Sequence, residues 1–214
     1  MNTPAALLHY IHDPLCGWCY GASPLVTAAR AVLPVRAHGG GMMAGRNRRQ
    51  VDADLRNYVM PHDQRIAQLS GQVFGERYFN GLLADTTAVF DSGPPIAAVL
   101  AMQSLQGNDA GLDLLAAIQR AHYHDGRRIS DEHVLIALAG QLGADGAAFS
   151  AAMQQQQLEE HFQATHNLLA QVGGRGFPTF VLEQGAAMEV IDVGTWLGRP
   201  VEWATHLRAM VEDA

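Results

Sequence analysis

Two cysteines, the only two in 214 residues, stand three positions apart as Cys16-Gly17-Trp18-Cys19. At that spacing a turn, or the first turn of a helix, brings both sulfurs within disulfide reach, so the pair can cycle between dithiol and disulfide. The thiolate is the nucleophile in such exchange. The free N–H groups and positive end of a helix stabilise a thiolate, lowering a cysteine from about 8.5 into the ~3.5–7.5 range. Two other chemistries compete for the same residues. A structural zinc site needs four ligands, and no second cysteine pair exists here. Histidines do not complete the set: His9 and His12 point to opposite faces of a strand, and His122 and His124 to different faces of a helix. Two inert core thiols are the blandest reading, and Gly17 argues against it because a core helix gains little from glycine. The residues therefore predict a redox pair with no metal and no cofactor. Nucleotide cofactors find no support, since no Gly-x-Gly-x-x-Gly follows a strand and no Walker lysine is present. Gly173-Gly174-Arg175-Gly176 lacks phosphate-loop spacing and reads as the turn into Phe177-Pro178.

The elements that must position this pair can be read on either side of it. Leu7-Leu8-His9-Tyr10-Ile11-His12 reads as a short strand, whereas Leu25, Val26, Ala29 and Val32 recur at helical spacing. The dithiol thus sits at a strand-to-helix junction, with Asp13-Pro14 making the turn. Local rules leave two helix starts open. A start near Cys16 activates that cysteine and shields Cys19 one turn further in. A start at Ser23-Pro24, a good N-cap and N1 pair, leaves both cysteines in a loop.

Pro34-Val35-Arg36-Ala37-His38 reads as a second strand closing a right-handed βαβ unit. Gly39-Gly40-Gly41 then breaks the pattern and marks the exit into an insertion, with Met42 and Met43 packing at the junction. From about Asp52 to Gln171 helical signals dominate. Ile96, Val99 and Leu100 mark one helix; Leu114, Leu115 and Ile118 mark a second. Ser130 is the expected N-cap of a third, whose stripe is Val134, Leu135, Leu138 and Leu142 before Gly143. Phe149 and Met153 predict a short helix, and Leu158, Phe162, Leu168 and Leu169 a longer one. Strand signals return at 179–182 and 188–192 around Gln184-Gly185-Ala186, a hairpin, followed by a helix from Pro200 to Val211. Tyr78, Phe79, Trp196 and Trp203 are read as core or interface packing. The expectation is an α/β domain built from both chain ends, 1–44 plus 172–214, carrying a helical domain, 45–171.

Composition narrows the partners. Hydrophobic residues make up 48% of the chain, enough for a substantial core. A net charge of -7 works against nucleic acid or an anionic membrane as partner, and Arg46, Arg48 and Arg49 read as a solvated loop. Met1-Asn2-Thr3-Pro4 lacks the charged and apolar regions of a secretory signal, which predicts a cytoplasmic location. In a reducing cytosol a pair at this spacing is a cycling redox centre more readily than a staple.

Four features together resemble the thioredoxin superfamily, and within it the DsbA-like, FrnE-type thiol-disulfide oxidoreductases. They are the Cys-x-x-Cys after the first strand, Pro24 five residues beyond Cys19, Gly176-Phe177-Pro178-Thr179 near the C-terminus, and the stretch from His124 to Leu135. The resemblance implies a thioredoxin-like fold with a large all-helical insertion domain, a helix start near Cys16, and Pro24 as a kink within that helix. It further implies that Pro178 is cis and faces the dithiol. Cys16 then attacks, Cys19 resolves, and Gly17, Trp18, Phe177 and Pro178 line the substrate. Protein or small-molecule disulfides and thiols, glutathione among them, are the implied partners. His12 or Asp13 assisting proton transfer to Cys19 is a further expectation. Gly17-Trp18 departs from the Gly-Pro, Gly-His and Pro-His pairs of familiar relatives; Trp18 cannot stabilise a thiolate by charge, which favours a reductase or isomerase direction. One alternative is a glutathione-dependent kappa-type transferase or hydroxychromene-carboxylate isomerase, which resembles a single-nucleophile pattern and is disfavoured by Cys19. Another is a non-catalytic peptide-binding module.

Overall fold

The computed structural model describes residues 6–212, and the Met1–Pro4 stretch read for a signal lies outside them. Its strands are β1 (Leu7–His12), β2 (Val35–Gly39), β3 (Arg49–Gln50), β4 (Val89–Phe90), β5 (Thr179–Gln184) and β6 (Ala187–Ile191). Four of these form one sheet in the order β2-β1-β5-β6. β1 runs parallel to β2 and antiparallel to β5, and β5–β6 is the expected hairpin, turning at Gly185 (φ 62°). Register puts Tyr10 of β1 beside Ala37 and Phe180. These apolar positions alternate with the other face, as a two-residue period requires.

Among the described residues the α-helices are α1 (Gly17–Gly21), α2 (Ser23–Arg30), α3 (Ala53–Ser70), α4 (Gly93–Gln106), α5 (Asn108–Tyr123), α6 (Glu132–Gln141), α7 (Gly146–Gln154), α8 (Leu158–Gln171) and α9 (Pro200–Glu212). Buried Trp203 on α9 donates from its indole to the Leu25 carbonyl on α2 at 3.0 Å and packs edge-on against Phe180, so α2 and α9 cover the Tyr10–Phe180 face. The middle of the chain is helical apart from the β3–β4 ladder, which pairs Arg49 with Phe90 and Gln50 with Val89, and a π-helical turn at Arg77–Gly81. Apolar side chains from the sheet and from α3, α4 and α5 belong to one contiguous core. No helix among the described residues is long and apolar enough to cross a membrane.

One expected cap is displaced. Asp131, not Ser130, stands at the start of α6, and the Ser130 hydroxyl instead donates to the Val89 carbonyl at 2.9 Å. A serine one residue outside the helix serves the β4 strand end in preference to its own turn, a competition open to any short hydroxyl side chain.

Candidate functional site

Both readings of the helix start contain part of the answer. Cys16 has extended backbone (φ -94°, ψ 112°) and stands as the N-cap of α1, while its carbonyl accepts from the Cys19 and Tyr20 N–H groups. The helix breaks at Ala22 and restarts at Ser23, with Pro24 in the first turn of α2. Pro24 has no N–H to give the Tyr20 carbonyl, as an interior proline must not. The Gln72 side-chain amide supplies that donor at 3.3 Å and also bonds the Ser23 hydroxyl at 2.6 Å. The expected kink thus takes the form of a one-residue interruption at Ala22, whose backbone stays in the right-handed helical region, braced from outside the helix.

The two cysteines are free thiols in unequal surroundings. Cys16 is 7% exposed and Cys19 0% exposed. Burial first, and the neighbouring Cys16 thiol second, push the Cys19 thiol up. The peptide bond between Phe177 and Pro178 is cis. Its approach to the dithiol is direct: Cys16 Sγ donates to the Phe177 carbonyl at 3.4 Å, although 161 residues separate them in sequence. Trp18 and Pro178 line one open cleft of about 460 Å³, together with Gly174, Arg175, Ile191 and Asp192. Phe177 is thus brought to Cys16 and Trp18 and Pro178 share the cleft, whereas Gly17 does not line that cleft.

Asp13 does more than make a turn. It is 0% exposed, accepts from the Leu15 N–H (2.9 Å) and the Ser92 hydroxyl (2.8 Å) on Oδ1, and from the Met42 N–H (2.6 Å) on Oδ2. Ser92 in turn accepts from the Met43 N–H at 3.0 Å. Asp13 therefore fastens the dithiol loop to α4 and to the segment after β2. Burial pushes its carboxyl up to about 6, against the pull of those donated bonds. His12 is buried and stacked on Tyr10, with Nδ1 lacking a partner among the described residues. Burial, reinforced by His38 and His161, lowers it to about 3, so it is a neutral imidazole at neutral pH.

The triple glycine is a cradle. A Cβ on Gly40 would stand 2.0 Å from the Phe177 ring, one on Gly39 2.8 Å from Ile96, and one on Gly41 2.9 Å from Phe162. Gly40 is also fixed on both sides, its N–H donating to the His12 carbonyl at 2.8 Å and its carbonyl bonding His166 Nε2 at 2.8 Å. The Phe177 ring thus lies flush on backbone. Sequence alone reads these glycines as a break, because the partners come from residues far along the chain.

A second close approach sits behind the motif. A Cβ on Gly17 would lie 2.3 Å from Asp63 Oδ1 and one on Gly21 2.6 Å from Ile66, so α3 packs against the glycine face of α1. Asp63 is 4% exposed, and the Tyr78 hydroxyl donates to its Oδ2 at 2.7 Å. Nothing in the local sequence around 63 signals this position; only the i, i+4 glycines at 17 and 21 hint that one helix face must admit a neighbour. Among the described residues no three His, Cys, Asp or Glu side chains converge as metal ligands.

The chain matches the DSBA-like thioredoxin domain family over residues 66–198. It is similar to the cytosolic disulfide reductase DsbM from Pseudomonas aeruginosa, with 51% identity over 97% of this chain and 100% of that one and a TM-score of 0.89. The same protein solved with GSH is 50% identical over 96% of this chain and 99% of that one, at a TM-score of 0.86. With a 2-hydroxychromene-2-carboxylate isomerase the fold alone is shared, at 17% identity, 97% and 98% coverage and a TM-score of 0.59. No curated protein matches the chain. A paired thiol at a strand-to-helix junction joins the matched family segment to an end-to-end likeness at half of all positions, and the chain accordingly belongs to the DSBA-like thioredoxin domain family, as a thiol-disulfide oxidoreductase.

Proposed function

We propose that the protein reduces disulfides in the cytoplasm, with Cys16 as attacking thiol, Cys19 as resolving thiol and glutathione among its thiol partners. The observation that carries this is the unequal placement of the sulfurs: Cys16 keeps some exposure and bonds the cis-proline loop, beside the cleft that Trp18 and Pro178 line, whereas Cys19 is fully buried in α1. Cys16 thiolate attacks one sulfur of a substrate disulfide, forming a mixed disulfide and expelling the other sulfur as a thiolate. Cys19 then gives up its proton and attacks Cys16 Sγ, which releases the second substrate thiolate and leaves the Cys16–Cys19 disulfide. Two external thiols, such as two glutathiones, return the pair to the dithiol.

Gly17-Trp18 places no cation beside Cys16, which supports the reducing direction over a strongly oxidising one. The likeness to a cytosolic reductase solved with GSH supports both the compartment and the thiol partner. Cys19 argues against a single-nucleophile transferase or isomerase on the same fold.

Insulin reduction with glutathione as electron source tests the reading. Wild type is expected to precipitate insulin chains. Cys19→Ser should accumulate a mixed disulfide with glutathione or insulin, because attack survives and resolution does not, while Cys16→Ser should form none. Trapping by Cys16→Ser and not by Cys19→Ser would reverse the roles.

A further inference from the structure

The mechanism above leaves one buried ionisable group beside the motif without a task. Asp63 reaches from α3 to the backbone of Gly17, between the two cysteines in sequence, and one of its oxygens occupies the space a side chain there would need. Its Oδ2 has the Tyr78 hydroxyl; Oδ1 is the oxygen turned toward Gly17. Around it stand the Gly17 backbone of α1, Tyr78 from the π-helical turn and, from α5, Tyr123, whose phenol is pushed up first by burial and then by Tyr78, Asp63, Cys16 and Cys19. His122 lies tilted against Tyr78, with ring centroids 5.3 Å apart, and burial lowers it to about 3. Among the described residues no cation pairs with the carboxyl.

We propose that Asp63 is a tuning residue of the dithiol: its charge, set against Gly17 in a site without a counter-ion, opposes the build-up of thiolate charge at Cys16 and so favours the oxidised product and the reducing direction. The inference rests on Cys16 being the attacking thiol. Like charges in a poorly solvated site interact strongly, and the interaction exists only when both are ionised. Burial pushes Asp63 up to about 7, partly opposed by the Tyr78 bond, so the switch from neutral acid to charged carboxylate falls near neutral pH. Below that pH the acid is neutral and without effect on the sulfur. Above it, the charge holds the thiol back.

Iodoacetamide alkylation of Cys16 tests this in a Cys19→Ser background, where one thiol remains, with rates followed from pH 5.5 to 9. Adding Asp63→Asn keeps the shape and the Tyr78 contact and removes the charge. The double variant should match the Cys19→Ser rate at pH 5.5, exceed it about three- to tenfold once Asp63 is ionised, and converge on it again where the thiol is fully ionised in both, since one unit of electrostatic coupling is a factor of about ten. Tyr78→Phe removes the bond that favours the carboxylate, so in the same background the point at which Asp63 begins to slow alkylation should move to higher pH. Rate curves that superimpose for Asp63→Asn, or that differ by one constant factor at every pH, would overturn the proposal; so would a Tyr78→Phe curve displaced to lower pH. Absence of any Cys16 alkylation in Cys19→Ser would instead defeat Cys16 as nucleophile, and the tuning proposal with it.

Discussion

Gly40→Ala is the sharpest test of how the cis-proline loop is held. Gly40 does not have positive φ, so alanine meets no backbone strain, and the penalty is contact alone. The new methyl would stand 2.0 Å from Phe177 Cζ and 2.3 Å from Cε1, where an ordinary contact is 3.4–4 Å, so something must retreat by more than an ångström. The backbone of Gly40 cannot, being bonded to His12 on one side and His166 on the other. The Phe177 ring must move, and its carbonyl is the group on Cys16 Sγ. Overpacking of this kind costs about 1–3 kcal/mol, which for a chain of this size lowers Tm by about 2–12 °C. Insulin reduction should fall further than stability does, by about tenfold, because a misplacement near 1 Å at the reacting groups is penalised heavily in rate. The decisive measurement is a double-mutant cycle by urea denaturation. Phe177→Ala empties the space the methyl needs, so the pair should lose about 1–2 kcal/mol less than the two single changes added together. Additive losses would refute the claim that the ring and the glycine are in contact.

Three further outcomes follow from buried polar groups. Ser92→Ala leaves the Met43 N–H without its acceptor and Asp13 short of a donor in a sealed site, and should cost about 1–3 kcal/mol in urea denaturation. His122 is buried, lowered to about 3 chiefly by burial, and has Nδ1 without a partner among the described residues. Its folded value lies below the unfolded one near 6.5, so the unfolded chain binds the extra proton and stability is lost as pH falls from about 6.5 toward 3. His122→Phe should therefore flatten the acid side of the stability curve by about 1.4 kcal/mol per pH unit across that window. Asp13 has the opposite sign: its folded value is raised, so it lends stability at low pH that is lost as pH rises through about 6, and Asp13→Asn should remove that component from the same curve.

The elements around the motif were legible because their signals are local. Leu7–His12, the hairpin about Gly185 and the long amphipathic helices follow from period and turn residues, and Cys16-x-x-Cys19 states its own chemistry. The cis geometry at Pro178 was legible only through resemblance, since 161 residues separate Phe177 from the sulfur it meets. Two strong local signals, Cys16 as helix start and Ser23-Pro24 as helix start, competed in the sequence and coexist in the fold because Gln72 reaches in from beyond α3. Ser130 misled because its hydroxyl had a better partner in Val89. Asp63, Ser92 and the partners of Gly40 could not be read at all: each acts across a tertiary contact, and a carboxylate or glycine in isolation carries no record of what lies opposite.

The brevity of α1 has a kinetic corollary. Five residues are too few for a helix to persist in water by itself, because nucleation costs more than so few hydrogen bonds return. Its helical state is therefore lent by α3, which lies along Gly17 and Gly21, and by the Gln72 brace at its far end. Detaching α3 and unwinding α1 become a single opening event, and Cys19 reaches solvent only through it. Amide exchange of Tyr20 and Gly21 should then keep pace with that of the middle of α3 and lag behind the ends of the longer α8, so the sealed sulfur is guarded by a cooperative unit far longer than the helix that carries it.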